Sequence, residues 1–246
     1  MSVPGSSLRR MQLILIPGFW LDASSWEPIV GPVEAAGHTA HPLTLPGLRP
    51  DDPDPASVTL QDQVDAVVAV IDSLSAEGGI VLIGHSGGGA VAHAAADARP
   101  DVVRRVIYVD SAPLGAGDCI NDELPAVDGM IRLPDWSAFE SEDLVDLDDQ
   151  LRASFRARAI PTPLRVATDP QELHDERRYD VPVTVICCEF TADAIRGWMA
   201  ADVPFCAELK KVKDKALVDL PTGHWPQFTR PDDLAALLVD LLASEA

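Results

Sequence analysis

Short apolar runs of strand length alternate with segments of helical periodicity through the first hundred residues. Two neighbouring parallel strands can be connected only by a long crossover, which is usually a helix. A parallel sheet also needs other elements packed on both of its faces. The alternation therefore predicts an α/β fold with a mostly parallel sheet and helices on both faces. The apolar runs are residues 13–16, 38–45, 80–83 and 103–109. The predicted helices are 24–37, with Ser24 as its N-cap, 60–74, capped by Thr59 with Asp62, and one that ends near Arg99.

The alternation stops near Pro113 and resumes at Val181, after a stretch that is rich in acids and prolines. We therefore predict a single domain over residues 1–246, whose core comprises 11–112 and 181–244. The segment 113–180 is predicted to be an inserted helical lid, with a helix near 143–159. After it we expect strands at 181–188 and 216–220, and helices at 192–200 and 229–242, the last with a Thr229/Asp232 capping box.

The composition excludes several classes of partner. The 246 residues carry a net charge of −20, which repels nucleic-acid phosphates and anionic membranes. The apolar run 11–16 is too short for a signal peptide, and we expect no membrane span. The four cysteines lack C-x-x-C spacing, so they indicate neither a zinc site nor a redox pair and suit a reducing cytoplasm.

The segment 84–88 reads Gly-His-Ser-Gly-Gly and fits G-x-S-x-G between a predicted strand and a predicted helix. In that context the serine occupies a sharp turn that projects its hydroxyl above the sheet, and small neighbours let the backbone double back. A dinucleotide-binding loop needs glycine where Ser86 stands, and a phosphate-binding P-loop needs a following Gly-Lys-Ser/Thr. The motif therefore predicts Ser86 as a nucleophile.

Three segments in this order resemble the α/β-hydrolase superfamily: residues 15–20, 84–88 and 222–225. The resemblance covers residues 11–244 apart from the insertion, and the compact start is similar to the small esterase and hydroxynitrile-lyase branch. It implies a Ser-His-Asp triad in which Ser86 attacks and His224, just after the last strand, is the general base. It also implies an oxyanion hole formed by the backbone N–H groups of Phe19 and Gly87, although Pro17 stands where the family usually has histidine.

The acid of the triad is left open among three carboxylates. The family's commonest position for it corresponds to Thr191, which carries no carboxyl group. We favour Asp110, which ends the strand after the nucleophile's helix. Some members of the family have their triad acid at this position. Glu189 and Asp193 flank the usual position and remain alternatives.

Aromatic residues of the insertion and of the loops after the first and last strands are expected to form an apolar substrate pocket: Trp20, Trp136, Phe139 and Trp225. The predicted function is hydrolysis of a small, largely apolar carboxylic ester through an acyl-enzyme on Ser86, with a lactone, thioester or amide as other options. No metal or organic cofactor is implied, the partner is a small molecule, and the chain is expected to be a monomer or homodimer. The alternatives are a lyase or other non-hydrolytic enzyme that uses the same triad, and a ligand-binding protein with a vestigial triad.

Overall fold

The computed structural model describes residues 10–75 and 79–243. Its strands are β1 (Met11–Ile16), β2 (Thr39–Pro42), β3 (Gly79–His85), β4 (Val103–Val109), β5 (Met130–Ile131), β6 (Thr162–Pro163), β7 (Val183–Cys187) and β8 (Lys215–Asp219). The α-helices are α1 (Glu27–Ala35), α2 (Leu60–Leu74), α3 (Gly88–Ala98), α4 (Asp149–Arg158), α5 (Leu164–Thr168), α6 (Ala192–Ala200), α7 (Ala207–Lys211), α8 (Pro226–Thr229) and α9 (Pro231–Ala243).

Six strands form one parallel sheet in the order β2-β1-β3-β4-β7-β8. Successive residues of each strand point to opposite faces, so the sheet has two apolar cores. On one face Ile14 and Leu82 pack with α2 and α3, and on the other Leu13 and Val81 pack with α1 and α9. The predicted fold class, a mostly parallel sheet with helices on both faces, is thereby confirmed.

Helix ends differ in how closely they follow the predictions. At α2 the predicted capping box is present, since Thr59 Oγ1 accepts the N–H of Asp62 and the Asp62 carboxylate accepts that of Thr59. The prediction that Ser24 caps the first helix is wrong. A 3-10 turn at Ala23–Trp26 precedes α1, and Asp22 caps it by accepting the Ser24 N–H at 2.9 Å.

The predicted Thr229/Asp232 capping box is also not what the structure contains. The Thr229 hydroxyl lies 2.7 Å from the Thr222 hydroxyl and donates to the Trp225 carbonyl oxygen. The final helix, α9, begins two residues later at Pro231, a residue suited to a first helical position because no intrahelical partner exists there for an N–H.

The segment 113–180 connects β4 to β7 and contains α4, α5 and the antiparallel pair of β5 with β6. Its apolar side chains meet Trp20 and Trp225, which follow β1 and β8, in a third buried cluster. Three hydrogen bonds attach it to Trp20. The backbone N–H of Trp20 donates to Thr162 Oγ1, and its indole N–H donates to the Ile131 carbonyl. Ile160 N donates to the Trp20 carbonyl. The segment is therefore attached to the edge of the sheet where the loops after β1 and β8 lie.

All four cysteines are free, and burial raises the pKa of the Cys187 thiol to about 12. Within residues 10–75 and 79–243, no helix combines the length and the apolar character that a membrane span requires. The cytoplasmic location expected from the cysteines stays a prediction.

Gly88 and Gly197 predict opposite responses to the same substitution. A Cβ at Gly88 would lie 2.5 Å from the Pro17 carbonyl oxygen and 2.7 Å from that of Ile16, whereas a Cβ at Gly197 meets nothing within 4 Å. We expect Gly88→Ala to lower the free energy of unfolding by about 1–3 kcal/mol. Gly197→Ala, in the exposed middle of α6, should raise it by about 0.5–1 kcal/mol. Urea unfolding measures both, and equal effects would contradict the close approach of α3 to β1.

Candidate active site

Ser86 lies in a sharp turn between β3 and α3, with a φ of 51° that side-chain-bearing residues rarely adopt. The turn is tight enough to need glycine on both sides, because a Cβ at Gly84 would lie 2.6 Å from the Gly88 carbonyl oxygen. The Ser86 N–H donates to the Val109 carbonyl, and the Ser111 hydroxyl donates to the Ser86 carbonyl. These contacts hold the strained backbone on the sheet edge.

His224 follows β8 and lies between Ser86 and Asp110. Its Nε2 is 2.8 Å from Ser86 Oγ, and its Nδ1 is 2.7 Å from Asp110 Oδ2. With the ring proton on Nδ1, the imidazole donates to Asp110 and accepts from the serine hydroxyl. The structure therefore brings together the three residues that the sequence predicted for the triad. The imidazole lies between the hydroxyl and the carboxylate, as it must if His224 is to act as general base.

A buried histidine supports the backbone of His224. His85 Nε2 donates to the His224 carbonyl oxygen at 2.7 Å. Burial and the charge of His224 lower the pKa of His85 to about 3, so this ring is a neutral donor. In the G-x-S-x-G motif, position 85 is a variable residue with no predicted role. Its partner is a backbone carbonyl 139 positions away, which no local pattern indicates.

Asp110 directly follows β4 with a φ of 46°, and its side chain is 7% exposed. Its Oδ1 accepts the backbone N–H groups of Cys188 and Glu189, at 3.0 and 3.1 Å, and its Oδ2 faces His224. Burial pushes the pKa of Asp110 upward, but the hydrogen bond and charge of His224 outweigh it, and the pKa lies below its ordinary value. Asp110 is therefore the ionised carboxylate of the site.

The other two candidate acids lie in different surroundings. Glu189 Oε1 is 2.5 Å from His224 Nδ1, but outside the direction of the ring N–H, and its side chain is 9% exposed. Burial raises the pKa of Glu189 well above its ordinary value. Asp193 stands on α6 with 90% of its side chain exposed and pairs with Arg196. Asp110 and Glu189 therefore both lie next to His224, whereas Asp193 does not.

Opposing effects act on the imidazole. Burial lowers the pKa of His224, whereas the hydrogen bond and negative charge of Asp110, with the adjacent Glu189 carboxyl group, raise it. The raising effects prevail, so the pKa lies above the ordinary value of a histidine. His224 is therefore a stronger base than a free imidazole.

Asp110, Glu189 and His224 form a compact group of metal-ligand types among the described residues. Asp110 Oδ2 lies 2.7 Å and Glu189 Oε1 2.5 Å from His224 Nδ1. Ligands bound about 2.0–2.1 Å from a tetrahedral ion would lie roughly 3.3 Å from each other. The spacing fits a shared proton better than a metal ion.

Phe19 and Gly87 lie together beside the serine. A Cβ at Gly18 would be 2.8 Å from Ser86 Cβ, so the loop after β1 passes directly over the turn. A Cβ at Gly87 would be 2.8 Å from the Phe19 ring. Gly87 also precedes α3, whose N-terminus favours negative charge. Both residues predicted for the oxyanion hole are thus adjacent to Ser86.

Two cavities open on either side of the serine and share Ser86, Glu189 and His224 in their walls. The smaller, of about 260 Å³, is lined mainly by apolar side chains, among them Leu114, Val185, Ile195, Phe190 and Phe205. The larger, of about 570 Å³, is lined by aromatic and polar groups, among them Phe19, Trp20, Phe139, Trp225, Asn121 and Glu123.

The structure places three of the four predicted pocket aromatics on the wall of the larger cavity, and Trp136 is the exception. The Trp136 ring lies behind Phe139, with its centroid 5.6 Å from that ring, and it also packs against Phe155 and Trp225. Arg156 covers it at 5.2 Å. The expectation that Trp136 lines the pocket is corrected accordingly, because this half-buried ring packs behind Phe139 and against the Arg156 guanidinium.

Comparison with known proteins gives a consistent result. A model of the alpha/beta hydrolase family matches residues 13–237. The chain is 26% identical to methylesterase 7 of Arabidopsis thaliana, covering 94% of this chain and 96% of that protein. It is also 26% identical to a pyrethroid hydrolase of Sphingobium wenxiniae, covering 95% and 88%.

A solved structure with the same architecture is an extracellular alpha/beta-hydrolase from a Paenibacillus species. The TM-score is 0.71 at 24% sequence identity, over 94% of this chain and 98% of that one. Together with the match to the family model, which spans most of the sequence, these similarities show that the chain belongs to the alpha/beta hydrolase family.

Proposed function

We propose that this esterase-type α/β hydrolase cleaves a small, largely apolar carboxylic ester through an acyl-enzyme on Ser86. The observation that carries the proposal is the pair of hydrogen bonds made by His224, at 2.8 Å to Ser86 Oγ and 2.7 Å to Asp110 Oδ2. Relatives named as a methylesterase and a pyrethroid hydrolase support an ester as the substrate.

In the proposed reaction Ser86 Oγ attacks the ester carbonyl carbon while His224 Nε2 takes the hydroxyl proton. The N–H groups of Phe19 and Gly87 donate to the oxyanion, and Asp110 stabilises the imidazolium without taking its proton. His224 then gives the proton to the leaving alcohol. A water molecule attacks the acyl-enzyme with His224 again as base, which releases the carboxylic acid and restores the serine hydroxyl.

The two cavities support an ester with apolar substituents on both sides of the carbonyl. Each cavity reaches Ser86, so the acyl and alcohol portions can occupy one cavity each. The smaller cavity suits a compact apolar group, and the larger one suits a group that contacts aromatic rings. Glu123 and Asp143 in the larger cavity disfavour a substrate with a second, free carboxylate.

We further propose that the segment 113–180 is the lid over this site, inserted into a single domain with a core of 11–112 and 181–244. Ile120, Asn121, Leu124 and Phe139 of the segment line the larger cavity. Its backbone also accepts hydrogen bonds from the loop that carries His224. A lactone, thioester or amide would use the same groups, and relative rates on the four substrate classes distinguish them.

Ser86→Ala is expected to abolish labelling by a fluorophosphonate probe while leaving the fold intact, because the variant removes only the attacking oxygen. Intact-protein mass spectrometry measures the adduct. The matched control is Ser73→Ala, which removes an exposed hydroxyl of α2 that donates to the Val70 carbonyl and should retain the adduct. A labelled Ser86→Ala protein would disprove the nucleophile, and an unlabelled wild type would favour a ligand-binding protein. A labelled wild type that does not cleave esters would favour a lyase.

The pH dependence follows from the carboxylates around His224. The base must be neutral to accept the serine proton, so kcat/KM falls as pH decreases through the pKa of His224. The hydrogen bond and charge of Asp110, with the adjacent Glu189 carboxyl group, outweigh burial and raise that pKa above 6.5. The acid limb of the profile should therefore have its midpoint above pH 6.5, and a midpoint below that value contradicts the assignment.

Phe139→Ala and Trp136→Ala separate the pocket wall from the layer behind it. Phe139 lines the larger cavity, so its truncation should change relative kcat/KM across esters that differ in one substituent. Trp136 packs among rings outside that wall, and its truncation should lower the melting temperature with relative rates unchanged. The reverse pattern would show that the cavity is not the substrate site.

A further inference from the structure

The Nδ1 side of His224 faces two carboxyl groups although it has one hydrogen to donate. Asp110 Oδ2 receives it at 2.7 Å. Glu189 Oε1 lies 2.5 Å from the same nitrogen but is not in line with the N–H, and this buried oxygen has no hydrogen-bond partner among the described residues. One carboxyl group therefore accepts the proton while the other stands beside it.

The two carboxyl groups differ in their donors. Asp110 accepts two backbone N–H groups in addition to His224, and hydrogen bonds of this kind favour the charged form of a carboxylate. No backbone N–H is found on the Glu189 carboxyl group within the described part of the chain. Two buried carboxylates in contact cannot both be ionised at low cost, so one proton stays with the pair. The donors leave that proton on Glu189.

Other titratable groups near the pair do not alter this distribution. His85 lies behind His224 and is neutral, and burial raises the pKa of the Cys188 thiol far above its ordinary value. Asp143 and Glu123 also line the larger cavity, together with Glu189. The charged group in contact with His224 is thus the Asp110 carboxylate.

The topology explains why both acids reach one ring. Asp110 directly follows β4, and Glu189 follows the end of β7 by two residues. These strands are hydrogen-bonded neighbours, and Asp110 N donates to the Ile186 carbonyl between them. Acids at the carboxyl ends of adjacent parallel strands face the same loop, which here carries His224.

We propose that Glu189 is a second positioning acid for His224, which keeps the shared proton while Asp110 is charged and accepts the Nδ1–H when Asp110 cannot. This inference rests on the proposed Ser86 chemistry and adds a residue to it. Glu189 contacts the imidazole and acts through it. Its effect must therefore appear in the tautomer and charge of His224.

Three variants test the proposal by their kcat values: Asp110→Asn, Glu189→Gln and the double variant. Loss of the only acid in such a triad costs about 10³–10⁴-fold, because the imidazole adopts the wrong tautomer. If Glu189 substitutes for Asp110, Asp110→Asn should lose only about 10–100-fold, and the double variant should fall to the full loss. Glu189→Gln alone should cost less than about tenfold, since Asp110 remains.

Two further readouts separate positioning from a structural role. Residual activity of Asp110→Asn should increase with pH as Glu189 loses its proton, and this increase should be absent from the double variant. A low-field proton NMR signal from His224 Nδ1–H should persist at alkaline pH in both single variants and vanish in the double one. The matched control is Asp193→Asn, which removes an exposed carboxylate of α6 and should leave kcat and the signal unchanged.

Two results would contradict the proposed role of Glu189. Equal kcat values for Asp110→Asn and the double variant, with the same pH profile, would overturn the proposal and leave Glu189 a wall residue. A Glu189→Gln loss as large as that of Asp110→Asn would also overturn it, because Glu189 would then be the principal acid. Fluorophosphonate labelling of Ser86 in the wild type tests the proposed function separately from these comparisons.

Discussion

The parallel direction of the central sheet is the constraint on which the site depends. Because all six strands run the same way, the carboxyl ends of β3, β4, β7 and β8 lie at one edge. Ser86, Asp110, Glu189 and His224 each follow one of those ends and come from distant parts of the chain. These residues come close together because the register of the hydrogen-bonded strands already places the first residues of their loops side by side.

Burial divides the roles of the charged groups at that edge. Asp110 keeps its charge because backbone N–H groups and His224 compensate for the loss of water. Glu189, a few ångströms away, has no comparable donors among the described residues. The same low-dielectric surroundings thus produce a carboxylate and a carboxylic acid in contact. The local difference lies in hydrogen bonding and not in residue type.

Sequence patterns predicted those features that depend on neighbours along the chain. The strands, the Thr59 capping box and the glycine-flanked turn at Ser86 are local, and they were readable. The resemblance to the family favours Asp110, because some members place the acid after this strand, and in the structure it contacts His224. What sequence could not supply depends on packing between distant segments. Examples are the packing of Trp136 behind Phe139, the support of His224 by His85, and the closeness of Glu189 to the same ring.

The loop that carries His224 is fastened to the segment 113–180 as well as to the sheet. Gly223 N donates to the Val145 carbonyl and His224 N to the Asp143 carbonyl, and a Cβ at Gly223 would lie 2.2 Å from the Asp143 oxygen. The part of the chain that shapes the substrate cavity therefore also sets the position of the imidazole. In the proposed mechanism, substrate range and turnover are coupled as a result. Exchanging this segment for that of a relative would transplant a binding surface and a support for the base together.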